Sequence, residues 1–463
     1  MTSSISPISL DQLRSGLEGR VVGPDDPDFD ELRRVLAGGV TARPAAVVRV
    51  ANAEDVARIV SYARATGTEL AVRCGGHSGA GHGTTDGGIV IDLRELKRID
   101  IDGEARIAWA DAGLTAIEVA QATAEHGLAI GFGDTGSVGI GGITLGGGIG
   151  YLVRKHGLTI DSLIGAEIVT ADGRIRSVDA DHEPDLFWAI RGGGGNFGVV
   201  TRFRFRLHPL ERIIGGMLVQ PLSPEGLVAL MEAAAAAPDE LSAIVNVMGC
   251  PPMPMIPEEL HGTPVLFSLV CWSGDLEEGE RVLGTLREIA EPIADLVAPI
   301  TYPELFPPEE MAEEYPVVVG QTLFMDRIGL QEARAIAEAI EASDAPMRAV
   351  QLRPLGGAMA RVAADATAFA HRSSAIMAIV VSFVEGSDAH ERRARWVHDL
   401  AGTLRQEDPG AYVNFLEADD PDGVHAAYPP PTWERLARIK AEVDPTNLFH
   451  RNHNIPPATN SAA

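Results

Sequence analysis

The sequence predicts a two-domain α+β protein, and three observations support that fold class. The first 209 residues alternate helix-like and strand-like segments around two glycine-rich loops. Residues 210–406 contain strands separated by alanine-rich helices, which is typical of an antiparallel sheet with helices on one face. Residues 407–463 are too few for an independent core, so they are expected to return to the first domain.

Composition excludes several classes of protein. A hydrophobic content of 45% in 463 residues is an ordinary globular value, and the net charge of −27 repels nucleic acids and anionic membranes. The longest clean apolar run, residues 375–383, is far short of the ~20 residues that span a bilayer. Residues 1–13 have no basic and apolar leader, so the expected location is cytoplasmic.

Three cysteines without a CxxC pair argue against a disulfide framework or a cysteine zinc site. A metal site at His77 and His82 also lacks support, because no cluster of carboxylates or cysteines accompanies the two histidines. We therefore expect no resident metal ion.

The first domain carries local signals of helices and turns. Asn52 is placed to cap a helix that ends before Gly67, and Thr115 with Glu118 forms a capping box for a second helix. The pair Asp172–Gly173 predicts a hairpin turn. These signals fix the ends of elements on both sides of the glycine-rich loops.

Later segments show clear periodicity. Residues 199–209 alternate phenylalanine and leucine with arginine, which predicts a strand with one solvent-exposed face. Helical spacing predicts helices within residues 226–237, 279–296 and 330–343. In the returning segment, Thr432 is the expected cap of a helix that stops at Asp444–Pro445.

The stretch Arg73–Gly88, RCGGHSGAGHGTTDGG, lies between two strand-like runs and contains almost no apolar side chain. Its glycines allow positive φ and close approach to a ligand, and its unpaired N–H groups favour an anion. His77 is then either a bystander on the surface or a group directed at that ligand.

The stretch Gly131–Gly150 is half glycine, interspersed with aliphatic residues. A flexible linker would be richer in polar residues, so a ligand-binding loop is favoured. The pattern G-x-G-x-x-G occurs at residues 131–136 and 193–198, but neither copy opens a helix, which argues against a nicotinamide site. No GxxxxGK[ST] phosphate-binding loop is present.

An ordered set of motifs carries a family resemblance: RCGGHS, DGGIVIDL, GDTGSVGIGGITLGGGIGYLVRKHGL, DLFWAIRGGGGNFGVVTRF and DPTNLFHRNHNIPP. Together they resemble the FAD-linked oxidases of the vanillyl-alcohol-oxidase fold, in the berberine-bridge-enzyme-like branch, from Val21 to about Pro457. The resemblance implies an FAD-binding PCMH-type domain built from the amino-terminal part and the tail. The middle of the chain would roof the isoalloxazine ring.

The resemblance also implies the cofactor contacts. His77 matches the family histidine that bonds covalently to the flavin 8α-methyl group, chemistry open to a neutral imidazole. Thr135 stands where bicovalent members carry a cysteine, which implies one covalent link only. Val138 lies at the position of the family's oxygen gate. The remaining implied cofactor contacts are Arg73, Cys74, Gly75, Gly76, Ser78, His82, Gly133, Asp134, Gly136, Gly139, Gly141, Gly142, Gly198, Val199, Val200, Asn452 and Asn454.

Candidate catalytic residues are Tyr412, Arg353 and Gln351, and Tyr428 and Asn414 are further candidates for the base. Tyr412 matches a tyrosine that serves as base in several relatives, with a half-buried strand tyrosine as the alternative. Gln351 and Arg353 should share one face of a strand where many relatives carry a carboxylate. Arg353 could bind an anionic substrate group or lower the pKa of a nearby tyrosine.

The expected activity is oxidation of an alcohol or amine of a small organic substrate, with dioxygen reduced to hydrogen peroxide. Two alternatives remain open: a dehydrogenase with poor oxygen reactivity, and a flavoprotein that binds a ligand without turnover. The expected partners are a small-molecule substrate and dioxygen, and no pattern in the sequence predicts an oligomeric state.

Overall fold

A computed structural model of the chain describes residues 8–306, 316–386, 389–418 and 420–459. Residues 1–7 lie outside this range, and they include part of the segment, residues 1–13, in which no leader is expected. Among the described residues, no helix is both long enough and apolar enough to cross a membrane.

The described α-helices follow the chain in this order: α1 (Leu10–Gly16), α2 (Phe29–Leu32), α3 (Ala53–Thr66), α4 (Ala116–Ala124), α5 (Ile140–Leu145), α6 (Val153–His156), α7 (Pro184–Ala189), α8 (Pro224–Ala236), α9 (Leu276–Arg287), α10 (Leu330–Ala342), α11 (Gly357–Arg361), α12 (His390–Leu404), α13 (Pro421–Ala427) and α14 (Pro430–Val443). Short 3₁₀ turns lie at Thr159–Asp161, Gly194–Asn196, Glu258–Leu260, Tyr302–Leu305 and Val413–Phe415.

The strands are β1 (Arg20–Val22), β2 (Ala46–Arg49), β3 (Leu70–Arg73), β4 (Ile89–Asp92), β5 (Ile99–Asp102), β6 (Ile107–Asp111), β7 (Leu128–Ala129), β8 (Leu163–Val169), β9 (Ile175–Val178), β10 (Val199–Arg206), β11 (His208–Pro209), β12 (Ile213–Pro221), β13 (Leu241–Gly249), β14 (Pro264–Trp272), β15 (Ala294–Asp295), β16 (Ala298–Ile300), β17 (Val317–Met325), β18 (Arg348–Pro354) and β19 (Ile376–Val384).

A small sheet of order β1-β2-β4-β3 positions the first glycine-rich loop. Strands β2, β4 and β3 are parallel, and α3 makes the crossover from β2 to β3. The Asn52 side chain accepts from Asp55 N–H, and Gly67 ends the helix at φ +70°, both as predicted. The first loop therefore leaves the end of a buried strand, β3, and returns into β4.

A five-stranded antiparallel sheet of order β5-β6-β10-β8-β9 lies beside it. The predicted hairpin is confirmed, since β8 and β9 pair across Asp172–Gly173 with Gly173 at φ +80°. In β10, Phe203 and Phe205 are fully buried while the alternate arginines are more exposed, so the period-two prediction is confirmed.

The middle of the chain forms one large antiparallel sheet, which we call the roof sheet, of order β15-β12-β14-β13-β18-β19-β17 with β16 also paired to β12. One face is covered by α8, α9, α10 and α12 through a continuous apolar cluster. This confirms the predicted antiparallel sheet with helices on one face. The opposite face of the roof sheet lies against the glycine-rich loops.

The carboxyl-terminal segment packs on the amino-terminal part of the chain. Leu436, Phe449 and Ile455 belong to the same apolar cluster as β2–β10. The completely buried Lys440 ammonium donates to Asp444 Oδ2 at 2.7 Å, Asn196 O at 2.6 Å and Phe449 O at 2.9 Å, which uses all three of its N–H groups. These bonds tie α14 and the tail to the turn that contains Asn196.

Two local expectations and one alternative were wrong. Thr432 does not cap α14, because the helix already begins at Pro430, and a proline suits the first helical position. The helix expected over residues 279–296 ends at Arg287, ahead of Pro292. Tyr412 is buried and precedes a 3₁₀ turn rather than lying in a strand.

Candidate active site

A cavity of about 370 Å³ lies between the two glycine-rich loops, the roof sheet and the tail. The structure brings most of the predicted site residues to this one place. Those that line the cavity are Arg73, Cys74, Gly75, Gly76, His77, Ser78, His82, Gly133, Asp134, Thr135, Val138, Gly139, Gly141, Gly142, Gly198, Val199, Val200, Arg353, Tyr412 and Asn452.

The two glycine-rich loops touch each other because glycine leaves room for backbone contact. A Cβ at Gly75 would lie 2.5 Å from Gly139 N, and one at Gly139 would lie 2.3 Å from Gly75 N. A Cβ at Gly141 would meet the Cys74 thiol at 2.3 Å. Burial raises the pKa of this thiol to about 12, so Cys74 remains a neutral packing group at the junction of the loops.

An ion pair anchors the start of the first loop. Arg73 and Asp92 end the neighbouring strands β3 and β4, and Arg73 Nη2 donates to Asp92 Oδ2 at 2.9 Å with both side chains buried. Arg73 Nη1 also donates to Arg34 O at 3.0 Å. Because the charges are paired and hydrogen-bonded, the loop leaves a rigid base.

His77 reaches across the contact between the loops. Its Nε2 lies 2.8 Å from Ser137 Oγ, a hydrogen bond between the first and second glycine-rich loops. Both residues lie beside Gly75 and Gly139, where the two backbones meet, and His77 lines the cavity. The imidazole is therefore held at the cavity wall from the opposite loop.

The tail supplies the far side of the cavity. His82 and His453 meet edge to face with ring centroids 4.8 Å apart, and burial lowers their pKa values to about 3 and about 4. Arg451 Nε donates to Thr84 O at 3.0 Å, which joins the tail to the first loop. Two neutral imidazoles and one cationic side chain thus stand beside the predicted Asn452.

Tyr412 approaches from the carboxyl-terminal segment. Its hydroxyl oxygen accepts from Gly148 N–H at 3.0 Å and from Asn414 Nδ2 at 2.8 Å. These two bonds fill both acceptor positions of the oxygen, which leaves the O–H to donate elsewhere. Burial raises the pKa of Tyr412, although the two donors and the Arg353 charge oppose this by favouring the phenolate.

Arg353 spans the cavity from β18. Its Nη2 donates to Asp134 Oδ2 at 2.6 Å, and its Nη1 donates to Ile149 O at 3.0 Å. Its Nε donates to Gln351 Oε1 at 2.8 Å, so the two residues share a strand face as predicted. The guanidinium is thus bonded to both ends of the second glycine-rich loop.

Three predicted site residues do not line the cavity. Gly136 is wedged between Ile117 and Phe306, and Gln351 donates to Asn246 Oδ1 at 2.9 Å within the roof sheet. Asn454 follows the lining residue His453, and its Oδ1 is buried without a partner among the described residues. Gln351 contributes by orienting Arg353.

Other residues line the cavity although the sequence did not predict them. Leu70, Val72 and Leu93 resemble ordinary strand core, and Phe449 and His453 lie almost 400 residues away from the first loop. The remaining unpredicted lining residues are Gly83, Ile143, Leu145, Ile149, Gly194, Val413, Phe415 and Arg451, whereas the further base candidates Tyr428 and Asn414 and the expected adenine-side residues Gly195 and Asn196 do line the cavity. Arg451 precedes the predicted Asn452, which is the signal that could have found it.

The comparisons with known proteins agree with this geometry. A family described as an FAD binding domain matches residues 44–179, and one described as berberine and berberine like matches residues 411–456. The (R)-6-hydroxynicotine oxidase of Paenarthrobacter nicotinovorans is 30% identical over 455 residues, 95% of this chain and 97% of that protein.

The chain belongs to the berberine-bridge-enzyme-like family of FAD-linked oxidoreductases. Its fold matches the crystal structure of 6-hydroxy-D-nicotine oxidase from Arthrobacter nicotinovorans with a TM-score of 0.85 at 29% identity, covering 99% of this chain and 100% of that one. A glucooligosaccharide oxidase from Acremonium strictum, described with a 6-S-cysteinyl, 8α-N1-histidyl FAD, shares the fold with a TM-score of 0.85 at 22% identity, covering 98% and 100% of the two chains.

The cavity of this family member fits FAD. A Cβ added at Gly142, which lines the cavity, would meet nothing within 4 Å, so the glycine leaves open space for a ligand. Asn452 Oδ1 is buried without a partner among the described residues and belongs to a lining side chain. An orphaned buried acceptor beside such a cradle is what a bound nucleotide would satisfy.

Proposed function

We propose that this FAD-linked oxidoreductase is an oxidase that removes a hydride and a proton from an alcohol or amine of a small organic substrate. Dioxygen would take up the electrons and form hydrogen peroxide. The observation that carries the proposal is the meeting of His77, Val138, Arg353 and Tyr412 around one cavity in a chain of this family. The small Val138 side chain favours an oxidase over a dehydrogenase.

We further propose that FAD is attached through His77 alone. The imidazole stands at the cavity wall and is held by Ser137. Thr135 also lines the cavity, but a hydroxyl cannot form the thioether that a cysteine would form there. Backbone N–H groups of residues 75–78 and 133–142 would hold the anionic part of the cofactor, with Gly198–Val200 beside its adenine end.

Bound FAD would supply the hydride acceptor. Tyr412 would hold or take the substrate proton at its hydroxyl oxygen, and Gly148 N–H and Asn414 would stabilise the phenolate that accepts it. The ordinary tyrosine pKa lies far above neutral pH and burial raises it further, so the base form grows with pH.

Arg353 would serve this site as a positioning group rather than as an anchor for an anionic substrate. Its charge is already paired with Asp134 at 2.6 Å, and its remaining bonds go to Gln351 and Ile149. A substrate carboxylate would have to displace this partner. The paired site therefore suits substrates without an anionic group near the reacting carbon.

The attachment is tested by acid precipitation. The wild-type precipitate should be yellow, and that of His77→Ala should be colourless. His126→Ala changes an exposed histidine outside the cavity and should stay yellow. A colourless wild-type precipitate would contradict covalent attachment.

The reaction class is tested by anaerobic mixing with sugars, amines and alcohols while the visible flavin absorbance is followed. An oxidase substrate should bleach the flavin, and air-saturated buffer should restore the colour rapidly with production of hydrogen peroxide. Slow return of colour would identify a dehydrogenase. Spectral shifts without bleaching by any substrate would identify a binding protein.

A further inference from the structure

We propose that Ser137 is the positioning residue for flavin attachment, holding the Nε2 side of His77 so that Nδ1 forms the bond to the cofactor. This role depends on the proposed covalent attachment, and it adds the residue that orients the imidazole of His77 for that attachment. It starts from the 2.8 Å contact between Ser137 Oγ and His77 Nε2.

The contact exists because two glycine-rich loops meet without side chains between them. Gly75 lies two residues before His77, and Gly139 lies two residues after Ser137. Their backbones approach so closely that a Cβ on Gly139 would be 2.3 Å from Gly75 N and 2.7 Å from Cys74 Cβ. The approach places Ser137 and His77 side by side at the cavity.

The hydrogen bond holds the Nε2 edge of the His77 ring, and the tautomer in which Ser137 accepts from it is the one that can attack through Nδ1. In a neutral imidazole one nitrogen carries hydrogen and the other carries the lone pair. When Ser137 Oγ accepts from Nε2–H, the lone pair is on Nδ1. Nδ1 is then the nucleophile, and the same hydrogen bond stabilises positive charge that develops on the ring during attack.

The attachment can be written with all atoms accounted for. One C–H bond of the 8α-methyl group and the N–H bond of His77 break, and a bond forms between the methyl carbon and Nδ1. The two protons and two electrons released reduce the flavin. Dioxygen, which the proposed oxidase already uses, then accepts them as hydrogen peroxide. Ser137 supplies orientation and is not consumed.

The matched variants are Ser137→Thr and Ser137→Val, which have nearly the same shape and differ in the hydroxyl group. Each protein is incubated in air with excess FAD, and flavin fluorescence on a denaturing gel is followed with time. Noncovalent binding is measured in parallel as FAD retained on ultrafiltration. We expect the threonine variant to attach flavin at close to the wild-type rate and the valine variant ~10-fold more slowly or less completely.

Equal attachment rates in the threonine and valine variants would overturn the role of Ser137 while leaving the covalent bond intact. A valine variant that no longer retains FAD would also overturn it, since the role concerns His77 and not binding. A wild-type band without fluorescence would instead show that the proposed attachment itself fails. Mapping the flavin to Nε2 in the labelled peptide would contradict the selected nitrogen.

Discussion

The surroundings of the Tyr412 hydroxyl group allow two states: a neutral phenol that donates a hydrogen bond, and a phenolate. Two N–H donors, from Gly148 and Asn414, point at its oxygen, and no other acceptor position is left on it. Burial works against the charged form and the donors work for it, with burial the larger effect on the pKa. Sequence pattern found this residue, but only the fold shows what holds it.

Tyr412→Phe should slow anaerobic flavin reduction by ~10²-fold or more if the phenolate acts as general base. Because the pKa of Tyr412 is raised above 10, the wild-type rate should climb with pH between 7 and 10, and the variant rate should be flat. Stopped-flow absorbance at several pH values checks both. A variant with the wild-type rate would remove Tyr412 from proton transfer.

At the level of elements, the Asp134–Arg353 ion pair fastens the roof sheet to the second glycine-rich loop. Arg353→Met leaves the Asp134 carboxylate, which is 22% exposed, without its partner. We expect a loss of about 3 kcal/mol in the free energy of unfolding, because breaking a largely buried pair strands one charge. The double variant Arg353→Met/Asp134→Asn should recover part of that loss.

Urea unfolding of the wild type, both single variants and the double variant forms the cycle that checks this pair. Simple addition of the two single losses would show that the ion pair contributes no coupling. Arg361→Met removes an exposed arginine that pairs with Asp239 and should change stability little.

Local sequence signals predicted the ends of helices well where a single short-range hydrogen bond caps the helix. Asn52 and the Thr115–Glu118 box cap their helices as expected, because each needs only neighbouring backbone. Thr432 failed because Pro430 starts α14 two residues earlier. The position of Arg353 against Asp134 could not be read from the sequence, since 219 residues separate the partners.

At the scale of the whole molecule, a stacked histidine pair joins α6 to β11. The rings of His156 and His208 lie 3.9 Å apart and 14° from parallel, and burial lowers their pKa values to about 3 and about 4. Both are therefore neutral in the folded state near pH 6. His208 Nε2 also lies 2.9 Å from Ser162 Oγ.

Acid should destabilise the protein through this pair. A depressed folded-state pKa means that the unfolded chain binds the proton first, so stability is present above the unfolded pKa of ~6.5 and is lost as pH falls toward 3. His156→Phe keeps the ring and should reduce the loss by ~1.4 kcal/mol per pH unit in that window. Urea midpoints between pH 7 and 4 measure it.

The exposed His126→Gln variant is the control and should keep the wild-type pH dependence. A His156→Phe variant that loses stability with acid as steeply as the wild type would contradict the role of the pair.

The motif order predicted the fold class and most of the residues that line the cavity, because the glycine-rich loops can be recognised from their composition. It predicted Asn452 of the tail at the cavity but not Phe449, Arg451 and His453 beside it, since those contacts depend on how α14 docks. The buried Lys440 bonds α14 to Asn196 O and Phe449 O, and no local pattern reveals these two contacts.

Because Lys440 brings residues 449–453 to a cavity that begins at Arg73, the flavin cradle is split between early and late parts of the chain. A ribosome releases the amino-terminal part first, at roughly 5–20 residues per second. His77 is thus synthesised many seconds before residues 449–453, which lie at the same cavity. The complete cradle is consequently available to the cofactor only after residues 449–453 have been translated.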